Sequence, residues 1–347
     1  MKKCFAILCA VLAGSAFGYI EDHLPVLPAP QYYTSGSQAR EVDVGAFTLE
    51  VNDVNGKCVG NCLDILLKGF SRIVKGSIQA QQNLPKWRLS LHPEVDAVPP
   101  ATPTAGLSKI TAVSLRITGN NNSETVPKPG TTEIDDEWYS LVVPTEGEIV
   151  LTAKTVYGAL HGFETIAQLA EWDDEPNRFT VGRLPLTIDD FPRFKWRGIM
   201  LDVARHFYPM SKVKNFVDAA ANMKMNVLHL HLSDAQSFAF QIEGIATHSK
   251  ATFGKKAVYT HADVKDLLEY ALYRGVHIVP EIDIPAHTGS WRHFDEDLIA
   301  NCWDYLVGRK GNYMDNQLAL NPASPKVWEV IKLILTEVAE TFDSPCK

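Results

Sequence analysis

Hydrophobic and polar positions change rhythm once along this chain, near Pro185. Before it, Phe47, Leu49 and Val51 alternate with polar neighbours, as do Val113, Leu115 and Ile117. That two-residue period belongs to strands with one buried face. Residues 138–143 and 149–153 read as further strands. Two stretches follow a helical period instead: Leu63, Leu66, Leu67, Phe70, Ile73 and Val74 share one face, and Leu160, Phe163, Ala167 and Ala170 another. Pro-rich runs at 93–103 and 127–129 read as loops. The mixture predicts a small α+β domain over residues 19–187.

After Pro185 strands and helices take turns. Residues 198–203 (GIMLDV), 226–232 (NVLHLHL) and 276–282 (VHIVPEI) are short apolar strands. Ser211 is expected to cap a helix with Val213, Phe216, Val217 and Ala220 on one face. Thr260 opens a second, with Asp263 as capping-box partner, Val264, Leu267, Leu268 and Ala271 inward, and Gly275 at its end. Ser324-Pro325 starts a third, with apolar positions 327, 330, 331, 334, 335, 338 and 342. Three β/α units predict an α/β fold with a parallel sheet, open or closed into a barrel. A full (β/α)8 TIM barrel takes eight strands and about 250 residues. In the closed case residues 188–347 would hold the first three β/α units of an incomplete one, with the open sheet as the alternative.

Composition adds a destination. Lys2 and Lys3 precede an apolar run over 5–13 and small residues at 14, 15, 16 and 18, predicting a signal peptide at 1–18. The run is shorter than the roughly 20 residues a bilayer span takes. No other stretch reads as a membrane span. The expected route is the secretory pathway, ending outside the cell or in a lysosome. A net charge of −8 with no basic run argues against a nucleic-acid partner. Four cysteines lie beyond the signal: Cys58, Cys62, Cys302 and Cys346. In an exported protein they can pair, in any of three ways. Cys58-x-x-x-Cys62 lacks the second close pair that a structural zinc site takes. Asn121-Asn122-Ser123 is a glycosylation acceptor.

In parallel β/α folds the reactive groups sit just past the carboxyl ends of the strands. All three ends here carry polar clusters: Asp202, Arg205 and His206; Asp234, Gln236 and Ser237; Glu281, Asp283 and His287. Along the middle strand Val227, His229 and His231 share one face and Leu228, Leu230 and Leu232 the other. The leucine face should pack on helices and the histidines face inward. His-x-His on a strand also occurs in zinc amidohydrolases, although no second metal-spaced set appears.

Three runs carry a resemblance: residues 191–207 (FPRFKWRGIMLDVARHF), 226–238 (NVLHLHLSDAQSF) and 280–288 (PEIDIPAHT). They resemble glycoside hydrolase family 20, the β-N-acetylhexosaminidases; residues 156–169 (VYGALHGFETIAQL) resemble the helix before that family's barrel. The resemblance implies that Arg205 hydrogen-bonds sugar hydroxyls, which a planar guanidinium fork suits. It implies that Asp234, Asp283 and His287 form the network that steadies the family's acid. Arg197, at the opposite end of its strand, should be structural. The implied ligand is a glycan or glycoconjugate with a terminal N-acetylhexosamine, with no cofactor and no metal. A homodimer of a longer parent stays open. Leu230, Ala235 and Ala239 stand where the family more often has Trp, Asp and Pro, which bears on substrate preference.

The family's mechanism is substrate-assisted, an exception to the two-carboxylate scheme. The sugar's acetamido oxygen attacks the anomeric carbon, an aspartate orients it, and the adjacent glutamate protonates the leaving oxygen. That Asp-Glu pair follows a fourth strand, and this sequence has none there. Asp136-Glu137, Asp174-Glu175 and Asp295-Glu296 lie elsewhere. The expectation is a chain inactive alone. A non-catalytic sugar-binding paralogue and the zinc amidohydrolase remain as alternatives.

Overall fold

The computed structural model describes residues 24, 26–52, 61–81, 107–119, 134–173, 177–243, 251–300 and 318–342. The expected signal peptide, the Pro-rich loops and the Asn121 acceptor lie outside these. The fold is mixed α/β, built on two sheets with a core cluster each.

The first sheet has eight strands: β1 (Tyr32–Val42), β2 (Thr48–Asn52), β3 (Lys109–Ile110), β4 (Ala112–Ile117), β5 (Tyr139–Val143), β6 (Ile149–Ala153), β7 (Glu171–Asp173) and β8 (Arg178–Asp190). They run in the order β2-β4-β6-β5-β8-β1-β3, with β7 beside β8. Helices α1 (Asn61–Phe70), α2 (Ser77–Gln81) and α3 (Val156–Leu169) accompany it, a π-helical turn over Ser71–Gly76 joining the first two. Strands β5 and β6 bury every second residue, as the alternation predicts. Ile65, Leu66, Phe70, Ile73 and Val74 join this core. Leu63 and Leu67, expected on the same face, are instead exposed, because the buried arc centres on Ile65 and Leu66.

Helix α3 is buried on almost every side. Thr155 caps it by accepting from the Tyr157 and Gly158 amides. A Cβ on Gly158 would stand 2.3 Å from the Trp138 carbonyl oxygen, so glycine sets how closely helix and strand approach. The two longest strands, β1 and β8, were not expected. Only Arg40 and Val42, at the end of β1, are buried, so most of it lacks a core-facing stripe. In β8 the buried positions run Phe179, Val181, then Leu184, Leu186, Ile188, a phase slip at Arg183, whose φ is 61°.

The second sheet is parallel, in the order β11-β10-β9: β9 (Gly198–Asp202), β10 (Val227–Ser233) and β11 (His277–Ile282). Helices α4 (Met210–Asn222), α5 (His261–Leu272) and α6 (Pro325–Phe342) pack with it. The Thr260–Asp263 capping box forms, and Gly275 follows the end of α5 at φ 70°. Helix α4 differs from expectation: Pro209 precedes it with no side-chain cap, and Ser211 lies inside the first turn. The fixed φ of proline is already compatible with helix entry. On α6, Val327, Ile334, Val338 and Phe342 are buried, whereas Leu335, expected inward, is 46% exposed.

Candidate functional site

Register places the polar groups. On β10, Leu228, Leu230 and Leu232 enter the helix-packed core. His229 and His231 take the opposite face, where His231 pairs with Asp202 of β9 and Glu281 of β11. The three strand ends thus converge on one rim.

Asp234, just past β10, is 1% exposed and is the hub. Its Oδ2 forms an ion pair with Arg205 Nη2 at 2.6 Å and lies 3.2 Å from His231 Nε2. Its Oδ1 lies 3.2 Å from His287 Nδ1. Asp202 accepts from the Ala204 and Arg205 amides at 3.0 Å each, and from Arg205 Nη1 at 2.6 Å. Glu281 lies behind His231, with Oε1 3.1 Å from Nδ1, and its Oε2 is 2.5 Å from His229 Nε2. Asp283 donates its amide to Ser233 Oγ at 3.2 Å. Ser237 and Ser290 tie the loops to the carbonyls of Ala204 and Asp234, each at 2.7 Å. His287 follows the cis Ile284–Pro285 bond and has φ 60°.

Electrostatics follow from these contacts. Burial alone would raise the Asp202 carboxyl, but the Arg205 amide and guanidinium hold it below its usual range. Asp202 in turn raises Arg205. Burial alone would lower His231, yet Glu281, then Asp234, hold it above the usual imidazole range. Among the described residues, His231, Asp234 and Asp283 have possible metal-ligand atoms within 4.8 Å of one another. A metal takes a neutral imidazole with a free lone pair. Here both ring nitrogens of His231 face carboxylates, so the trio makes a poor zinc site.

Arg205, Asp234, Asp283 and His287 are therefore brought together, with Asp202, His231 and Glu281 among them. His206 and Gln236 are exposed on the same rim. Arg197 lies away from it: it pairs with Glu137 and donates to the Lys224 and Phe194 carbonyls at 2.8 Å each. Glu137 belongs to a second buried cluster, between α3 and the start of β10. It accepts from Asn226 at 3.0 Å and meets His161 at 2.8 Å. Lys224 donates nearby to Tyr139, Thr165 and Asp190 at 2.9–3.0 Å. Of the other Asp-Glu pairs, Asp295 is bound to Lys326 and caps a turn, and residues 174–175 are outside the described set. Cys62 is disulfide-bonded, which removes it as a zinc ligand.

Residues 194–346 match the family model for the glycosyl hydrolase family 20 catalytic domain, and 26–169 match one described as beta-acetyl hexosaminidase like. A beta-hexosaminidase subunit beta of Entamoeba histolytica is 38% identical over 285 residues, 81% of this chain and 49% of that protein. The chain belongs to glycoside hydrolase family 20. The human beta-hexosaminidase subunit beta is 38% identical over 208 residues, 60% of this family 20 chain and 36% of the relative. A solved Flavobacterium johnsoniae chitobiase of family 20 superposes with a TM-score of 0.64 at 25% identity, covering 92% of this chain and 43% of that one. The chain thus spans about half or less of the length of these family 20 proteins. No helix among the described residues is long and apolar enough to cross a membrane.

Proposed function

We propose that this family 20 sequence is part of a β-N-acetylhexosaminidase that removes terminal N-acetylglucosamine or N-acetylgalactosamine by substrate-assisted, retaining hydrolysis. The carrying observation is the buried Asp234 carboxylate, shared by Arg205, His231 and His287 at the carboxyl ends of three parallel strands. In this reading the three β/α units open a (β/α)8 barrel over 188–347, and residues 19–187 form an accessory α+β domain. Arg205 donates from Nη1 to Asp202, pairs with Asp234 and stays 44% exposed, leaving donors for neighbouring sugar hydroxyls. His287 is held by Asp234 through Nδ1, which directs Nε2 towards a general acid. Asp283 adds negative charge beside Arg205. The apolar N-terminal run and the disulfide at Cys62 support an oxidising, exported destination.

The acetamide-orienting aspartate and the acid are not supplied by these strands, so the chain alone should turn over nothing. Positioned acid–base groups commonly contribute 10²–10⁴-fold. The test is purified chain, free of host enzyme, with an aryl N-acetyl-β-glucosaminide: background rates are expected. Robust turnover would overturn the assignment of the missing pair. Saturable N-acetylglucosamine binding without turnover would favour a sugar-binding role for the chain by itself.

A further inference from the structure

The geometry points to Glu281 as a positioning residue: by keeping His231 doubly protonated it holds the Asp234 carboxylate in place for His287. The consequence for catalysis rests on the hexosaminidase reading above, but the charge state does not.

His231 is the link. It is 4% exposed, and each of its ring nitrogens faces a carboxylate, Nδ1 against Glu281 Oε1 at 3.1 Å and Nε2 against Asp234 Oδ2 at 3.2 Å. An ionised carboxylate only accepts, and a neutral imidazole has one N–H. Both contacts are hydrogen bonds together only when the ring is an imidazolium. The surroundings ask for that charge. Asp202, Asp234, Glu281 and Asp283 gather at the rim with Arg205 as their one guanidinium. With every histidine neutral, the cluster would carry an unbalanced excess of negative charge around the buried Asp234.

The state of His231 then decides what His287 meets. With Arg205 and a charged His231 both against Oδ2, the Asp234 carboxylate presents Oδ1 to His287 Nδ1. His287 donates from Nδ1, and its Nε2 is left for the reacting side. Glu281 is placed for this by backbone register, opposite His231 across the β10–β11 pair, with His229 on its other oxygen. Without its charge, His231 gives up a proton more readily, one hydrogen bond to Asp234 or to residue 281 is lost, and the Asp234 carboxylate is held less firmly for His287.

Long-range ¹H–¹⁵N spectra of the imidazoles, recorded on the purified chain across pH 5–9 and assigned with His231→Gln and His287→Gln, test this. In the unmodified chain His231 should show two protonated nitrogens at pH 7, and His287 a protonated Nδ1. In Glu281→Gln the His231 midpoint should fall, because the carboxylate against Nδ1 is gone. Glu281→Asp should restore part of the His231 shift. An unchanged His231 midpoint in a folded Glu281→Gln chain would overturn the proposal. If that variant does not fold, the unmodified chain decides: a His231 ring with one protonated nitrogen at pH 7 overturns it, and two support it. None of these readings needs turnover, so their failure is distinct from failure of the glycosidase assignment.

Discussion

Arg197 and Arg205 lie at opposite ends of the β9 segment and hold carboxylates of different kinds. Arg197 neutralises Glu137, which is 3% exposed, and its other donors end on backbone carbonyls. His161 beside them is lowered by burial, so it contributes a neutral N–H and Arg197 supplies the charge. Arg197→Lys loses the fork that reaches three partners, and should cost about 2–4 kcal/mol in urea unfolding. Arg205→Lys keeps a charge at a half-open rim and should cost under about 1 kcal/mol. Equal losses would show that the two arginines share one role. Arg205, Asp234 and His287 were legible because each stands at a strand end within a recognisable run. Glu137 was not, since Asn226 and Arg197 stand 89 and 60 residues away and no local pattern joins them.

At the scale of elements, α3 and the β9–β10 connection are held together by groups that respond oppositely to pH. Burial works against the Glu137 carboxylate, but His161 and Arg197 bring it down to about 2. Its contribution is complete above its ordinary 4.5 and disappears as pH falls towards 2. Glu164, on α3, has a buried Oε1 with no partner, and burial lifts its carboxyl to about 7 despite Arg72 and Lys224. In the native state it keeps its proton after the unfolded chain has lost it. Stability should therefore decline as pH rises from about 4.5 to 7 and level off above, by roughly 3 kcal/mol at most. Glu164→Gln should flatten that decline, and Glu137→Gln should remove the acid-side loss while lowering stability at neutral pH. Thermal melts from pH 3 to 8 separate them; a Glu164→Gln profile that parallels the unmodified chain would show that another group titrates. Helix α3 itself was legible from its stripe, but not that its polar side is buried too. That follows from Lys224 and Glu137 arriving from distant segments.

At the scale of the molecule, helices pack one face of the second sheet, and among the described residues its edge strand β9 is left exposed. Parallel sheets are ordinarily covered on both faces, and exposed strand edges invite pairing with other chains. Among the described residues, β9 pairs only with β10 on one side and β11 only with β10 on the other. Met200 is 56% exposed and Ile199 37%, both on β9, and Phe194 and Trp196 just before it are 65% and 47% exposed. On the outer surface of α6, Trp328, Leu333 and Leu335 add to the exposed apolar area. Apolar patches of this extent drive association in water. The strand pattern foretold apolar strands and a parallel sheet, but exposure depends on what stands beside an edge, and no residue in the run 198–203 encodes that. The purified chain should self-associate at micromolar concentration and bind a hydrophobic dye, as read by light scattering after size exclusion. Met200→Lys should reduce both, because a charge at a strand edge opposes pairing. It should leave the melting temperature within a few degrees, since the side chain it replaces makes little use of the core. A variant that associates as strongly as the unmodified chain would move the sticky surface from β9 to the exposed face of α6, where Trp328→Lys gives the same test.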